Sequence, residues 1–179
     1  MMPKPLCIDL FCGYGGWARG FLDAGYWVIG FDNDPKCAKR YPGEFVLEDI
    51  RDFDGRAFPT PRVIVASPPC NFYSKLSLPQ SWNRGWKEDD GGELWNEAER
   101  IIERVKPWFW CIENVRGAEK IHGKSKMRVG SRYLWGEFPI MNPKPIYGKW
   151  RLPPSKDRTA LRSMIPYPLA RALAEACKP

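Results

Sequence analysis

Cys70 has the setting in this chain that most invites chemistry. It follows Val63-Ile64-Val65-Ala66-Ser67-Pro68-Pro69, a short β-branched run stopped by two prolines. Such a run reads as a buried strand, and proline, lacking an N–H and fixed in φ, cannot extend it. The thiol therefore stands in a rigid turn at the carboxyl end of a strand, where open α/β sheets bind their ligands. A thiol there is either a nucleophile or, like most free cysteines, a small buried hydrophobe. The stretch alone leaves both open. Glu113 and Asn114 close a second apolar run, Trp108-Phe109-Trp110-Cys111-Ile112, and bring a carboxylate and an amide to the same edge. Gly13, Gly15 and Gly16 follow the run Leu6-Cys7-Ile8-Asp9-Leu10 and permit a tight turn with close approach to a ligand. They come near the dinucleotide fingerprint G-x-G-x-x-G without meeting it. Asp32 ends the run Trp27-Val28-Ile29-Gly30-Phe31, about 20 residues past the glycine turn, the place of an acid that holds ribose hydroxyls. Asp34 is expected to N-cap a helix opening at Pro35. Asp49, just past Phe45-Val46-Leu47, suits either a contact to a ligand's base or a plain turn.

The elements that must position these groups are legible in outline. Strand, glycine turn and helix open a nucleotide-binding α/β fold, with the first helix spanning Trp17 to Ala24 and Gly25 stopping it. Leu94, Ala98, Ile101, Ile102 and Val105 form one apolar stripe, so Leu94 to Lys106 reads as a helix ended by Pro107. Residues 75–93 lack periodicity and read as a long functional loop, in which Lys75, Arg84 and Lys87 interleave with Trp82 and Trp86. Residues 116–130 are basic, with Arg116, Lys120, Lys124, Lys126 and Arg128; His122 among them reads as a surface residue. Tyr133 to Phe138 is a further strand, residues 139–158 hold five prolines, and Pro166 to Ala176 forms a last helix.

The length of 179 residues suggests a single domain, with 44% hydrophobic and 27% charged residues, an ordinary globular composition. A net charge of +7 together with nine tryptophans suits a polyanion with stackable bases. No apolar run reaches the roughly 20 residues of a membrane span. The amino terminus carries no signal-peptide core, so a cytoplasmic location is expected. The six cysteines form no C-x-x-C pair and His122 is the one histidine, so neither a zinc site nor disulfides are expected.

Five motifs in order resemble the cytosine-C5 DNA methyltransferases. They are Asp9-Leu10-Phe11-Cys12-Gly13-Tyr14-Gly15-Gly16, Pro68-Pro69-Cys70, Gly92-Glu93-Leu94-Trp95, Glu113-Asn114-Val115 and Ile165-Pro166-Tyr167-Pro168-Leu169-Ala170-Arg171-Ala172. The resemblance implies a Rossmann-like α/β methyltransferase fold dependent on S-adenosylmethionine, with a single, mostly parallel twisted sheet flanked by helices. It implies that Phe11, Gly13, Gly15, Asp32, Asp49 and Leu94 line the S-adenosylmethionine site. Asp9, Cys12, Gly16, Asn33, Ile50, Pro68, Ser163 and Ile165 complete that set. Cys70 is then the nucleophile, Glu113 engages the cytosine, and Asn114 positions Glu113 and the Cys70 loop. A DNA partner, with its target cytosine flipped out, is expected along Ser74, Lys75, Trp82, Arg84, Arg116, Lys120, Lys124, Arg128 and Arg132. The chain departs from the family pattern in four places. Asn71 stands for the usual glutamine, and Ser163 for an asparagine. Arg128 and Arg132 are the nearest match to a paired-arginine element. Residues 139–162, too few for a separate domain, stand where the family has its target-recognition region, so residues 1–179 read as a single catalytic domain. An inactive nucleic-acid-binding homologue and an RNA or small-molecule methyltransferase are the competing readings; the retention of Cys70 with Glu113 favours the DNA enzyme.

Overall fold

A computed structural model describes residues 3–76, 91–144, 161 and 163–179. The chain folds as strand β1 (Leu6–Leu10), helix α1 (Gly16–Asp23), β2 (Trp27–Asp32), β3 (Glu44–Leu47), β4 (Val63–Ala66), α2 (Asn71–Leu76), α3 (Gly91–Val105), β5 (Phe109–Asn114), α4 (Glu119–His122), β6 (Met127–Val129), β7 (Arg132–Glu137) and α5 (Tyr167–Ala176). The strands form one seven-stranded sheet in the order β3-β2-β1-β4-β5-β7-β6. The first five are mutually parallel; β7 runs antiparallel to β5, and β6 pairs antiparallel with β7. β1 and β4 are wholly buried, as their continuous apolar sequences require of central parallel strands.

Helices cover both faces. On one, α1 and α5 pack on Cys7, Val28, Val63, Val65 and Leu134, with Trp17, Phe21, Leu169 and Leu173 in the interface. The two helices approach so closely that a Cβ on Gly20 would overlap the Arg171 backbone nitrogen. On the other face, α3 lays Trp95, Ala98, Ile101 and Ile102 over Ile8, Leu10, Ile64 and Ile112. Burying a large aliphatic or aromatic side chain contributes about 1.5–3 kcal/mol, so these two cores outweigh any surface pairing.

The topology decides where chemistry can gather. The order reverses between β1 and β4, so a crevice opens at the carboxyl ends of these two strands. Asp32, Glu48, Ser67 and Glu113 reach the same edge from β2, β3, β4 and β5. Because β7 is antiparallel, its first residue, Arg132, also lies there, one position beyond the Asn114–Tyr133 pair.

Several expectations change. The sequence reads Asp34 as the cap of an α-helix at Pro35. Instead a 3₁₀ turn spans Cys37–Lys39, and Asp34 Oδ1 accepts from the Lys36 N–H at 3.0 Å. Prolyl and charged residues here leave no apolar stripe to hold a longer helix. The loop expected over 75–93 is shorter, since α2 runs to Leu76 and α3 begins at Gly91. Residues 77–90, with Trp82, Arg84, Trp86 and Lys87, lie outside the described residues. The basic segment holds α4 and β6, too short for periodicity to reveal. Of the 139–162 stretch, residues 145–160 and 162 lie outside the described residues. Among the described residues no helix is long and apolar enough to cross a membrane, and no cluster of three or more His, Cys, Asp or Glu could hold a metal ion.

Candidate active site

The crevice holds a cavity of about 420 Å³. Its walls come from every strand end of the carboxyl edge: Phe11 and Gly13 after β1, Asp32 and Asn33 after β2, Glu48, Asp49, Ile50 and Arg51 after β3. Ser67, Pro68, Pro69 and Cys70 follow from β4, Glu113 and Val115 from β5, Arg132 from β7, with Leu94 and Ser163 closing the rim. A recess of about 120 Å³ shares Phe11, Gly13, Ser67 and Ser163 and adds Cys12, Gly16 and Ile165. Together they are of the size that holds a small ligand.

The glycine turn is held by Asp32. Its Oδ2 accepts the Gly13 N–H at 2.9 Å and its Oδ1 accepts the Asp34 N–H at 2.9 Å. Gly13 has φ +51°, and a Cβ there would meet no protein atom within 4 Å; glycine serves here for conformation, not for crowding. Phe11 is a non-glycine residue at φ +57°, a strained conformation of the kind that gathers at ligand sites. On the next strand end, Asn33 donates to Asp49 Oδ2 at 3.2 Å, and the Arg51 N–H bonds Asp49 Oδ1 at 3.0 Å. The Arg51 N–H above all holds the Asp49 carboxyl below its ordinary range, so it is charged at neutral pH.

On the opposite wall, Cys70 is half-buried, whereas the other five cysteines are buried. Its carbonyl accepts the Ser74 N–H at 2.8 Å, making it part of the first turn of α2. Burial pushes the thiols of Cys7, Cys12 and Cys111 well up, so these remain protonated and inert. Glu113 is only 4% exposed. Burial raises its carboxyl; the Arg132 guanidinium, 3.1 Å away, and a hydrogen bond with Ser67 partly oppose that rise. Ser67 Oγ in turn accepts from Trp17 Nε1 at 3.0 Å. Asn114, also buried, donates through Nδ2 to the Pro68 carbonyl at 3.0 Å, while its Oδ1 accepts the Val115 N–H at 2.9 Å. The strand that carries Glu113 is thereby pinned to the turn that carries Cys70. A thiol and a carboxyl shifted by burial toward its protonated form, facing one cavity, can add to, and protonate, a flat electrophilic ring.

A family profile, C-5 cytosine-specific DNA methylase, matches residues 6–129. The chain belongs to this family. It is similar to the type II methylase M.HgiDII of Herpetosiphon aurantiacus, with 31% identity over 119 residues, covering 60% of this chain and 32% of that protein. It is similar also to the type II methyltransferase M.FnuDI of Fusobacterium nucleatum, 30% identical over 115 residues, covering 62% of this chain and 32% of that protein. The chain thus spans about a third of the length of the curated relatives it matches. A solved E. coli structure, a prophage-encoded protein described as a DNA modification methyltransferase, shares the fold. The TM-score is 0.50 and the identity 23%, over 66% of this chain and 34% of that one.

In this member of the methylase family, most residues expected at the site line the cavity or its recess, but four expectations need correction. Asp9 is not at the ligand surface. It is 1% exposed, accepts from the Tyr41 hydroxyl at 3.1 Å, and its carboxyl is pushed well up by burial. It lies in the interior of β1, so it supports the turn from beneath. Gly15 lines neither cavity, because its Cα faces the Pro42 ring, which a Cβ would overlap. Arg132 stands in the cavity wall rather than in the exposed part of the basic segment: besides Glu113 it donates to the carbonyls of Ser163 and Met164, at 3.1 and 3.0 Å. His122 is half-buried rather than freely exposed; its ring stacks on Trp95 with centroids 3.9 Å apart.

The remaining expected nucleic-acid residues divide. Ser74, Arg116, Lys120 and Lys124 are exposed. Arg128 is exposed too, but its Nε donates to the Gly130 carbonyl at 2.8 Å and its guanidinium lies over the Tyr133 ring. Lys75 is in α2, and Trp82 and Arg84 lie outside the described residues. Asn71 is the exposed first residue of α2. Sequence reasoning missed Glu48, Arg51, Ser67, Pro69 and Val115 as lining residues. Each sits one or two positions from a motif residue at a strand end, which is the signal that could have found them.

Proposed function

We propose that this chain transfers a methyl group to C5 of cytosine in DNA through a covalent adduct between Cys70 Sγ and C6 of the base. The observation that carries the reading is the meeting of Cys70 and Glu113 in one cavity, with Asn114 bonded to the turn between them. S-adenosylmethionine, when bound, supplies an electrophilic methyl group. The residues present fit it. Asp32 and Asp49 offer carboxylate oxygens for hydroxyl and amine donors, Phe11 and Leu94 offer apolar walls, and Gly13 leaves open space at the turn.

The chain's own residues perform the rest. The Cys70 thiolate attacks C6, and the electron pair of the C5–C6 bond moves toward C5 and into N3. Glu113, whose carboxyl burial shifts toward the protonated form, engages N3 and in that form donates its proton there, stabilising that charge. Once C5 carries the methyl group, the N3 proton returns to Glu113, solvent water takes the C5 proton, and the freed pair re-forms the C5–C6 double bond as the thiolate leaves. The target base reaches Cys70 only when flipped out of the duplex, and on this reading Arg116, Lys120 and Lys124, which are exposed, engage phosphates. On this reading residues 1–179 act as one catalytic domain, with residues 139–162 in the place of a recognition region.

Duplex DNA carrying 5-fluorocytosine tests the mechanism, because fluorine cannot leave as a proton and the adduct persists. With methyl donor present, a denaturation-resistant adduct should form and map to the Cys70 peptide. Cys70→Ala should form none while binding S-adenosylmethionine within about twofold of wild type, since only the base-reactive group is removed. Methyl transfer by Cys70→Ala, or transfer by wild type without an adduct, overturns the reading.

A further inference from the structure

Helix α2 begins at Cys70's own turn and has six residues. A helix that short has little stability of its own in water, so its placement depends on what holds it. Its buried anchor is Tyr73, which is 0% exposed and belongs to the turn closed by the Ser74–Cys70 hydrogen bond. The Tyr73 hydroxyl lies 2.8 Å from His122 Nε2. His122 terminates α4 and stacks on Trp95 of α3, with ring planes 14° apart. Trp95 is itself fixed: its Nε1 donates to Glu99 at 2.8 Å and its ring meets Trp135 of β7 edge-on at 5.1 Å. Trp135 Nε1 closes the set by donating to the Gly123 carbonyl, next to His122, at 2.9 Å. One imidazole thus joins α2, α3 and α4.

We propose that His122 is a positioning residue: stacked on Trp95, it latches the Tyr73 hydroxyl and so fixes the helical turn that holds Cys70 at the cavity. The proposal rests on the cytosine-methylation reading for its kinetic consequence, but not for its structural one. The same latch ties the Cys70 turn to the segment bearing the exposed Arg116, Lys120 and Lys124. Stacking alone would be met by any flat ring at 122. What requires histidine is a polar ring atom at hydrogen-bonding distance from a fully buried hydroxyl, a bond that a carbon ring atom cannot make.

The test is a double-mutant cycle. Tyr73→Phe removes one oxygen; His122→Phe keeps the stack on Trp95 and removes the ring nitrogens. Each should speed amide hydrogen exchange in Asn71–Leu76 about tenfold, the worth of one buried hydrogen bond, while exchange in α1 and α5 stays unchanged. Each should slow single-turnover methyl transfer about tenfold, with KM for DNA and the affinity for S-adenosylmethionine within twofold. The double variant should match the singles, because both remove the same bond, and His122→Gln, whose amide can still meet the hydroxyl, should recover much of the loss. Additive effects, or wild-type exchange in α2 in both singles, overturn the latch. If wild type transfers no methyl group, the methylation reading fails and the exchange measurements alone still decide the latch. If His122→Phe does not fold, Tyr73→Phe decides it.

Discussion

Replacing Asn114 by alanine should be felt both in stability and at Cys70. The side chain is 1% exposed and makes two hydrogen bonds, to the Pro68 carbonyl at 3.0 Å and from the Val115 N–H at 2.9 Å. Alanine strands both backbone groups. Leaving a buried polar group unsatisfied costs about 1–3 kcal/mol, and the Pro68 carbonyl is the more deeply enclosed of the two. Allowing less for the partly buried Val115 N–H, the loss is about 2–4 kcal/mol, a melting shift of roughly 4–16 °C in a chain of this size. Urea and thermal unfolding of wild type and Asn114→Ala measure it. The second readout is local. Cys70 is the cysteine that is not buried, so alkylation of the native protein by iodoacetamide reports on its turn. Freeing Pro68 should change that rate several-fold. Asn114→Asp makes the sharper comparison: it keeps an acceptor for Val115 but points a carboxylate oxygen at the Pro68 carbonyl, and should be at least as damaging as alanine at pH 7. A loss below about 1 kcal/mol with an unchanged alkylation rate would show that the bridge does not hold the turn.

Glu113 gives a pH prediction. Its folded-state carboxyl is raised above the ordinary 4.5, first by burial. The protonated form is therefore favoured in the fold, and its stability contribution, full below about pH 4.5, is lost as pH rises toward the raised value. Urea midpoints from pH 4 to 8 should fall more steeply for wild type than for Glu113→Gln, and parallel curves would contradict the burial argument. His122 runs the other way. Burial lowers its pKa from 6.5, with Glu99 of α3 opposing and the Tyr73 hydroxyl of α2 facing the ring. The neutral ring's contribution is complete above pH 6.5 and lost as pH falls toward the depressed value. Protection of α2 amides, corrected for the intrinsic exchange rate, should fall as pH drops below 6.5 in wild type but not in His122→Gln; a flat wild-type profile would speak against it. Gly20→Ala should destabilise by about 1–3 kcal/mol, because the overlap with the Arg171 and Ala170 backbone outweighs the roughly 1 kcal/mol gain in helix propensity. A raised melting temperature would mean that α1 and α5 are less tightly apposed than their glycine contact implies.

The parallel half of the site was legible in the chain alone. Apolar runs of β-branched residues fix where the parallel strands end, and parallel strands bring their carboxyl ends to one edge whatever their separation in sequence. Gly13, Asp32, Asp49, Cys70 and Glu113 were found in this way, Phe11 through the family resemblance, and each lines the cavity. What tertiary structure decided were the contacts made at right angles to the chain's own periodicity. Arg132 reads as one more cation in a basic segment until β7 runs antiparallel and carries it back beside Glu113. Asp9 and Gly15 belong to the right motif but point at Tyr41 and Pro42, and which side of a strand or turn meets the ligand depends on the neighbour packed against the other. His122 looks exposed because its own four-residue helix has no apolar stripe; Trp95 and Tyr73, contributed by two other helices, enclose it. Short-range pattern encodes strands and their ends, whereas a single polar residue's surroundings are set by elements that only folding brings together.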